Sequence, residues 1–517
     1  MPVETLVEQN ACLSKQNDTL NKQIDYLSGQ NEWLKQQLGL IKQKVYGPSS
    51  EAARETQPSL LFNEAEELSV PVAEPELETV TIRIRRKGKR AADLAGLPVE
   101  TIRHELPAAE QQCAHCCGPL HEIGSDERQE IKIVPATVTV VRHLRIKYAC
   151  RDCERHGTGS AVVGAALPRP AFAGSLASPS AVAFIISQKY DLSLPLYRQE
   201  QYLQGLGIAL SRQTMANWVL RGAELLKPLV NRMQSLLLSR EILHADETRV
   251  QVLQESERDA TRQSFMWVYR SGRDGPPLVL YDYQISRAAL HPQRYLKEFR
   301  GYLHADGYSG YANLPGVTVV GCWAHVRRKF EETLRALPAG SRSSGEPAIA
   351  RQGLDFCNKL FKIESDVKTA TIEQRLQMRR EQCLPLLENF ELWLAHQEPR
   401  VLPQSLLGRA VGYARNQWPK LLVFLEDGRL EIDNNRCERS VKPFVIGRKN
   451  WLFANTPKGA NASALIYSIV ITAKENGLRP AAYLQYLFET LPYLDQSDDA
   501  MIDTLLPWMP DVQNACK

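Results

Sequence analysis

Leucines recur every seven residues at the start of the chain: Leu6, Leu13, Leu20, Leu27 and Leu34, with Ile41 continuing the series. With these at heptad position d, position a reads Val3, Asn10, Asn17, Ile24, Asn31, Leu38 and Val45. The pattern predicts a leucine zipper over residues 1–47, about six heptads, ended by Gly47-Pro48. Leu at d suits a parallel dimer, and Asn at a fixes register because each buried amide wants a partner amide across the seam. The alternative, one amphipathic helix packed on its own domain, would need other buried partners for three Asn. Residues 48–80 lose this periodicity, are rich in Pro, Glu, Ser and Ala, and read as a flexible linker.

Further along, residues 128–148 alternate apolar and polar (Ile131, Ile133, Val138, Val140, then Leu144, Ile146, Tyr148), which predicts a β-hairpin. Residues 175–236 return to a helical pattern. Ser178-Pro179 opens one helix, Leu194-Pro195-Leu196 a second, and Ser211, a plausible N-cap, a third after the turn at Leu206-Gly207-Ile208-Ala209-Leu210. A short helix, a Gly turn and a helix opening Ser-Arg-Gln-Thr have the form of a helix-turn-helix, which would bring Arg212, Gln213 and Asn217 to a DNA groove. A plain helical hairpin buttressing the next domain fits the same residues.

From 240 the period becomes that of strands: Ile242–Ala245, Phe265–Arg270, Leu278–Tyr283, Tyr302–Ala305 and Val317–Cys322. The first three are close together, as in an antiparallel meander; the later ones are separated by helix-sized stretches, as in parallel crossings. A core is expected over 237–477, interrupted by a helical insertion at about 340–427, with a small helical segment at 478–517. The alternative, a separate terminal domain from about 340, is disfavoured by the return of a carboxylate motif at 433.

Composition adds little except through its segregation. The chain has 517 residues, several domains' worth, with a net charge of only +4. Yet residues 64–78 carry six Glu and no Lys or Arg, whereas Arg83, Arg85, Arg86, Lys87, Lys89 and Arg90 crowd residues 83–90. Such a basic block is a footprint for a phosphate backbone, although solvated segments can look the same. No long apolar run or signal-peptide core is present, so the expectation is a cytoplasmic, nucleoid-associated protein without membrane contact.

Eleven cysteines without a secretory signal favour metal binding over disulfides for clustered pairs. Cys113-x-x-Cys116 and Cys150-x-x-Cys153 form two knuckles that can complete a tetrahedral, structural Zn²⁺ site. Coincidental reduced thiols are the alternative, and His115 and Cys117 blur the ligand choice. A zinc ribbon beside a basic arm over 81–160 reads as a DNA-binding module.

Three carboxylates carry the chemistry. Asp246 ends Ile242-Leu243-His244-Ala245, Asp306 ends Tyr302-Leu303-His304-Ala305, and Glu438 follows Asp433-Asn434-Asn435-Arg436-Cys437. Two acids at strand ends and a third on a later helix can hold two hard divalent cations, Mg²⁺ or Mn²⁺, that clamp the oxygens of a phosphoryl transfer. Either Asp alone could equally cap a helix. A mixed sheet flanked by helices with acids at strand ends resembles a ribonuclease-H-like fold.

At these motifs the chain resembles a transposase of the insertion-sequence-sixty-six family, the TnpC type, over nearly its whole length. The likeness rests on His244-Ala245-Asp246-Glu247-Thr248, Asp306-Gly307-Tyr308-Ser309-Gly310-Tyr311, Cys322-Trp323-Ala324-His325-Val326-Arg327-Arg328-Lys329-Phe330, Asp433 to Arg439, and Leu505-Leu506-Pro507-Trp508. Cys437 and Cys117 depart from its pattern, where Ala and Gly are common. The resemblance implies a multidomain α/β protein: coiled coil, zinc-ribbon-like module, helical DNA-binding region and ribonuclease-H-like DDE core. Asp246, Asp306 and Glu438 would be its metal-binding acids. It also implies double-stranded DNA as partner, at the transposon ends and the target, and accessory proteins encoded beside the element. Arg328, Lys329, Arg439 and Lys442 are expected to position phosphates. His325 would assist proton transfer, bond the scissile phosphate, or simply pack beside Trp323. Asn434 and Asn435 are expected to shape the turn and cap the helix carrying Glu438. Rival readings are a DNA-binding protein without catalysis and a nuclease that cuts without joining.

Overall fold

The computed structural model describes residues 136–148, 163–336 and 346–517. The expected zipper, linker, basic arm and both cysteine pairs lie outside the described residues. Strands β1 (Lys147–Tyr148) and β2 (Val163–Gly164) pair antiparallel. This differs from the hairpin expected over 128–148. In its described part, residues 136–146 have no regular structure, and β1 pairs instead with chain beyond the second cysteine pair. Two residue pairs bury no face, and Tyr148 and Val163 stay exposed.

The three expected helices form. α1 (Pro179–Tyr190) is capped by Ser178, whose side chain accepts from the Ala181 N–H. α2 (Leu196–Gly205) leads through Gly207, at φ +87°, into α3 (Arg212–Leu238), where Ser211 accepts from the Thr214 N–H. α3 is 27 residues long, far beyond what a groove-reading helix needs. Met215, Leu226, Leu229, Met233 and Leu237 are all buried along it, so one face of α3 is a core element along its length, while its first turn and its opposite face, with Arg221, Lys227 and Asn231, are exposed.

A five-stranded sheet follows, built from β3 (Ile242–Gln251), β4 (Gln263–Ser271), β5 (Val279–Gln284), β6 (Gly301–His304) and β7 (Val317–Val320). The order is β5-β4-β3-β6-β7. β3, β4 and β5 run as an antiparallel meander, while β6 and β7 run parallel to β3. α4 (Leu290–Tyr295) lies between β5 and β6. The β6–β7 crossing holds only a 3-10 turn, Ser309–Tyr311, where a helix-sized element was expected. Gly301 starts β6 at φ +137°, and a Cβ there would overlap the Glu241 carbonyl oxygen. The open edge of β5 is closed by α11 (Pro457–Glu475): Thr472 and Ser468 hydroxyls accept from the Val279 and Tyr281 N–H groups at 3.0 and 2.8 Å.

α5 (Trp323–Ala336) leaves the sheet after β7. α6 (Glu346–Asp366), α7 (Ile372–Met378), α8 (Leu384–Gln397) and α9 (Leu406–Leu422) come next, and α10 (Asn435–Trp451) returns to β3 and β4. α12 (Pro480–Thr490), α13 (Asp499–Asp503) and α14 (Pro510–Cys516) end the chain. Two apolar clusters result. One joins α1, α3, the sheet, α10, α11 and α12 through residues such as Leu226, Leu243, Trp267, Phe444, Ile469 and Leu487. The other joins Ile242 and Val320 of the sheet to Trp323, Phe330, Phe390, Leu407 and Trp418. The fully buried Arg379 secures the second: its guanidinium meets both Glu364 oxygens, at 2.7 and 2.8 Å, and donates to the carbonyls of Phe424, Asp427 and Leu430.

Candidate active site

β3 does not end at Asp246, as the sequence suggested, but runs five residues further because β4 pairs with it as far as Gln251↔Gln263. What does end there is the parallel ladder: β6 pairs with β3 only through His244↔His304. Asp246 therefore lies just past the fork where β3 loses its second neighbour, and Asp306 lies just past the end of β6. Glu438 stands in the first turn of α10. Both Asp residues stand two positions past the last β3–β6 pair, and the first turn of α10 brings the third acid to them.

α10 is held there by Asn434. This residue occupies the N-cap position, but its side chain makes no capping bond. Its Nδ2 instead donates to the Ala245 carbonyl at 2.9 Å, and its Oδ1 lies 3.0 Å from His244 Nδ1. Its backbone N–H meets Cys322 Sγ at 3.2 Å. The expected cap is thus a staple between α10 and β3. The turn itself is shaped by Asp433, which accepts from the Asn435 N–H and Nδ2 at 3.0 and 2.9 Å.

The acids feel one another. Burial pushes Asp246 well above the usual carboxylate range, and the charges of Glu247, Glu438 and Asp306 push it further. Burial also raises Glu438; Arg328 pulls it back and Asp306 adds to the rise. Two oxygens are already committed: Asp246 Oδ1 to the Glu247 N–H and Asp306 Oδ1 to the Tyr308 N–H, both at 2.8 Å. Arg328 Nη2 lies 3.3 Å from Glu438 Oε2, whereas Glu438 Oε1 is buried with no hydrogen-bond partner. Converging carboxylates with an orphaned buried oxygen suit a divalent cation, which would relieve both the repulsion and the lost hydrogen bond.

His325 lies on α5 with Nδ1 3.8 Å from Glu438 Oε1, and burial, then Arg328 and Lys329, lowers its pKa to about 3. It stands beside the Glu438 carboxylate, two residues into the helix that Trp323 opens. Lys329 sits beside Arg328 with its ammonium 4.7 Å from the Tyr413 ring centroid. Arg439 and Lys442 are exposed on α10. Arg212 and Gln213 stand exposed at the start of α3, where the Arg212 N–H is held by Glu200 of α2 at 3.0 Å.

Several residues at the site escaped the sequence reading. Glu247 points to the opposite side of β3 from Asp246, and burial followed by Asp306 raises its pKa while Arg287 and Tyr311 oppose this. Arg287 Nε donates to Glu247 at 2.6 Å, Tyr311 donates at 2.9 Å, and Arg287 Nη2 is 3.9 Å from Asp306 Oδ2. Only the fold brings Arg287 to these acids. Cys322 was quoted in a motif but given no role; its three-residue spacing from His325 was the available signal. Cys437 donates to the Val268 carbonyl at 3.6 Å in the α10–β4 contact, where an Ala would fit without that bond.

The chain matches the profile of the Transposase IS66 family over residues 174–462 and that of the IS66 C-terminal element over 468–508. It also matches the zinc-finger binding domain of transposase IS66 over 110–154 and the Transposase C of IS166 homeodomain over 33–102. Among curated relatives, uncharacterized protein y4jD of Sinorhizobium fredii is 30% identical over 489 residues, 90% of this chain and 92% of its own. Uncharacterized protein y4qI of the same organism is 32% identical over 426 residues, 79% of this chain and 75% of its own. No helix among the described residues is long and apolar enough to cross a membrane.

Proposed function

The chain belongs to the IS66 transposase family, and we propose that it binds the ends of an insertion sequence, cuts a strand there, and joins the freed 3′ hydroxyl to target DNA. The observation that carries this is the meeting of Asp246, Asp306 and Glu438, far apart in sequence, around one patch with an orphaned carboxylate oxygen. The strand order β5-β4-β3-β6-β7, with an antiparallel meander on one side and parallel strands on the other, supports reading the core as ribonuclease-H-like.

In this reading Asp246, Asp306 and Glu438 would together hold two Mg²⁺ or Mn²⁺ ions. The ions would supply a nucleophilic water at neutral pH and charge compensation on the scissile phosphate. Arg328 and Arg287, now bound to site carboxylates, are placed to turn toward phosphate oxygens once cations neutralise those acids. His325, too weak a base to hold a proton there, would instead orient an attacking water or hydroxyl beside Glu438 by accepting its hydrogen bond. Cys113, Cys116, Cys150 and Cys153 would hold a structural Zn²⁺, and the basic run at 83–90 and the first turn of α3 would bind the end duplex.

The test is a strand-transfer reaction: full-length protein, a labelled end duplex, a target plasmid and Mg²⁺ or Mn²⁺, beside Asp246→Ala and Glu438→Ala. Joined product that falls at least about 1,000-fold in both variants, with end binding retained, is expected. Cleavage at the wild-type rate in either variant would remove that acid from the mechanism. Cutting without joining would favour a hydrolytic nuclease, and end binding with neither reaction a non-catalytic DNA-binding protein.

A further inference from the structure

Beside the three acids lies a donor set of a different chemical kind. Cys322 Sγ, a ring nitrogen of His325 and a carboxylate oxygen of Glu438 all lie within 4.8 Å of one another. Cys322 immediately precedes α5 and His325 follows three residues later, so one helical turn puts thiol and imidazole on the same side. Glu438 reaches them from the first turn of α10. The separation of His325 Nδ1 from Glu438 Oε1 is 3.8 Å, too long for a hydrogen bond. It is close to the edge, about 3.3–3.8 Å, of a tetrahedron built on zinc bonds of about 2.0–2.3 Å.

The unsatisfied valences point the same way. His325 Nδ1 and Glu438 Oε1 are both buried without a hydrogen-bond partner, although each faces the other. An imidazole nitrogen and a carboxylate oxygen left so would each cost free energy unless a proton or a cation lay between them. Cys322 Sγ accepts the Asn434 N–H at 3.2 Å, the kind of outer contact that orients and stabilises a ligating sulfur. Arg328 opposes a cation electrostatically, but it occupies Oε2 and leaves Oε1 open.

We infer that Cys322, His325 and Glu438 form a binding site for a zinc-class divalent ion, distinct from the four paired cysteines. A thiolate and an imidazole select such an ion over Mg²⁺, which prefers oxygen. Because Glu438 serves both sites, an ion held here withdraws the third acid from magnesium chemistry. That consequence, though not the site itself, rests on the function proposed above. Zinc and magnesium then compete for one carboxylate, and zinc holds the protein in a form that binds DNA ends without cutting them.

Zinc bound per full-length chain is counted by elemental analysis after equilibrium dialysis, without DNA or magnesium, for wild type, Cys322→Ala, His325→Ala and Glu438→Gln. The paired cysteines are common to all and cancel. Wild type is expected to hold one more equivalent than each variant. Thermal melting checks the fold, and if Cys322→Ala or His325→Ala is misfolded, Cys322→Ser and His325→Gln take their place. A Cd²⁺ titration is expected to show a sulfur-to-metal charge-transfer step that the Cys322 variants lack. Equal zinc content in wild type and the Cys322 and His325 variants, with equal Cd²⁺ steps, would overturn the site; an undiminished count in Glu438→Gln alone would overturn the sharing of that acid. Since the count needs no catalysis, a failed strand-transfer reaction leaves it standing, and a successful one does not rescue it.

Discussion

Asp433 shows how a single side chain near the acids ties stability to pH. Burial raises it to about 7; the Asn435 N–H opposes the rise, and the Glu431 and Glu438 charges add to it. An unfolded Asp titrates near 4. Between about pH 4 and 7 the folded protein keeps a proton that the unfolded chain releases. The unfolded state then binds fewer protons, and the Asp433 contribution to stability falls as pH rises through that window. The buried His244 and His325, lowered to about 4 and about 3 by burial first, act with the opposite sign below about pH 6.5, so the raw curve is a mixture. The difference between Asp433→Asn and wild type isolates the Asp. It is expected to grow in the variant's favour from pH 4 to 7, by on the order of 1–3 kcal/mol. Denaturant midpoints at several pH values check this, and a flat difference would refute it.

Among the elements, α10 decides whether the third acid is present, and the chain leading into it is held by Arg379. This guanidinium lies at the start of a π-helical stretch, Arg379–Cys383, and its donors are shared among Glu364 and three carbonyls between Phe424 and Leu430. Glu431, next along, pairs with Arg436 and Arg273 at 2.6 and 2.7 Å and receives no help from burial, which alone would raise its pKa. Arg379→Met keeps the volume but removes every donor. The largely covered Glu364 carboxylate and the carbonyls are then unpaired, at a cost of about 3–5 kcal/mol. The core transition in urea should shift accordingly. A loss below about 1 kcal/mol would mean that water or rearrangement replaces the guanidinium.

Taken whole, the chain joins a core, in which three acids converge, to N-terminal segments read from sequence as zipper, basic arm and zinc module. The prediction at this scale concerns assembly. Deleting residues 1–47 is expected to lower the particle mass measured by light scattering to that of the monomer, while the thermal transition of the core is unchanged. An unchanged mass would assign self-association to another surface. Three Asn at a positions would make such a zipper self-selective, so mixing with an unrelated leucine zipper should yield no heteromer.

What the sequence determined by itself were the features set by short spacings. Heptads, the Ser178 and Ser211 caps, the five strand cores and the acids that follow two of these runs in sequence all depend on neighbours a few residues away, and a linear reading sees those. The three acids stood out as candidates because each falls in a short recognisable run. Tertiary structure decided what depends on register and on contacts between distant segments. β3 outlasts Asp246 because β4 pairs with it to Gln251, a length that no pattern within β3 prescribes. Asn434 staples α10 to β3 instead of capping it, because Ala245 and His244 lie within reach only in the folded chain. Arg287 meets Glu247, and Cys322 meets Glu438, across separations of tens to more than a hundred residues. Side-chain chemistry is written in the sequence, but the distance between two side chains is set by the packing of everything between them.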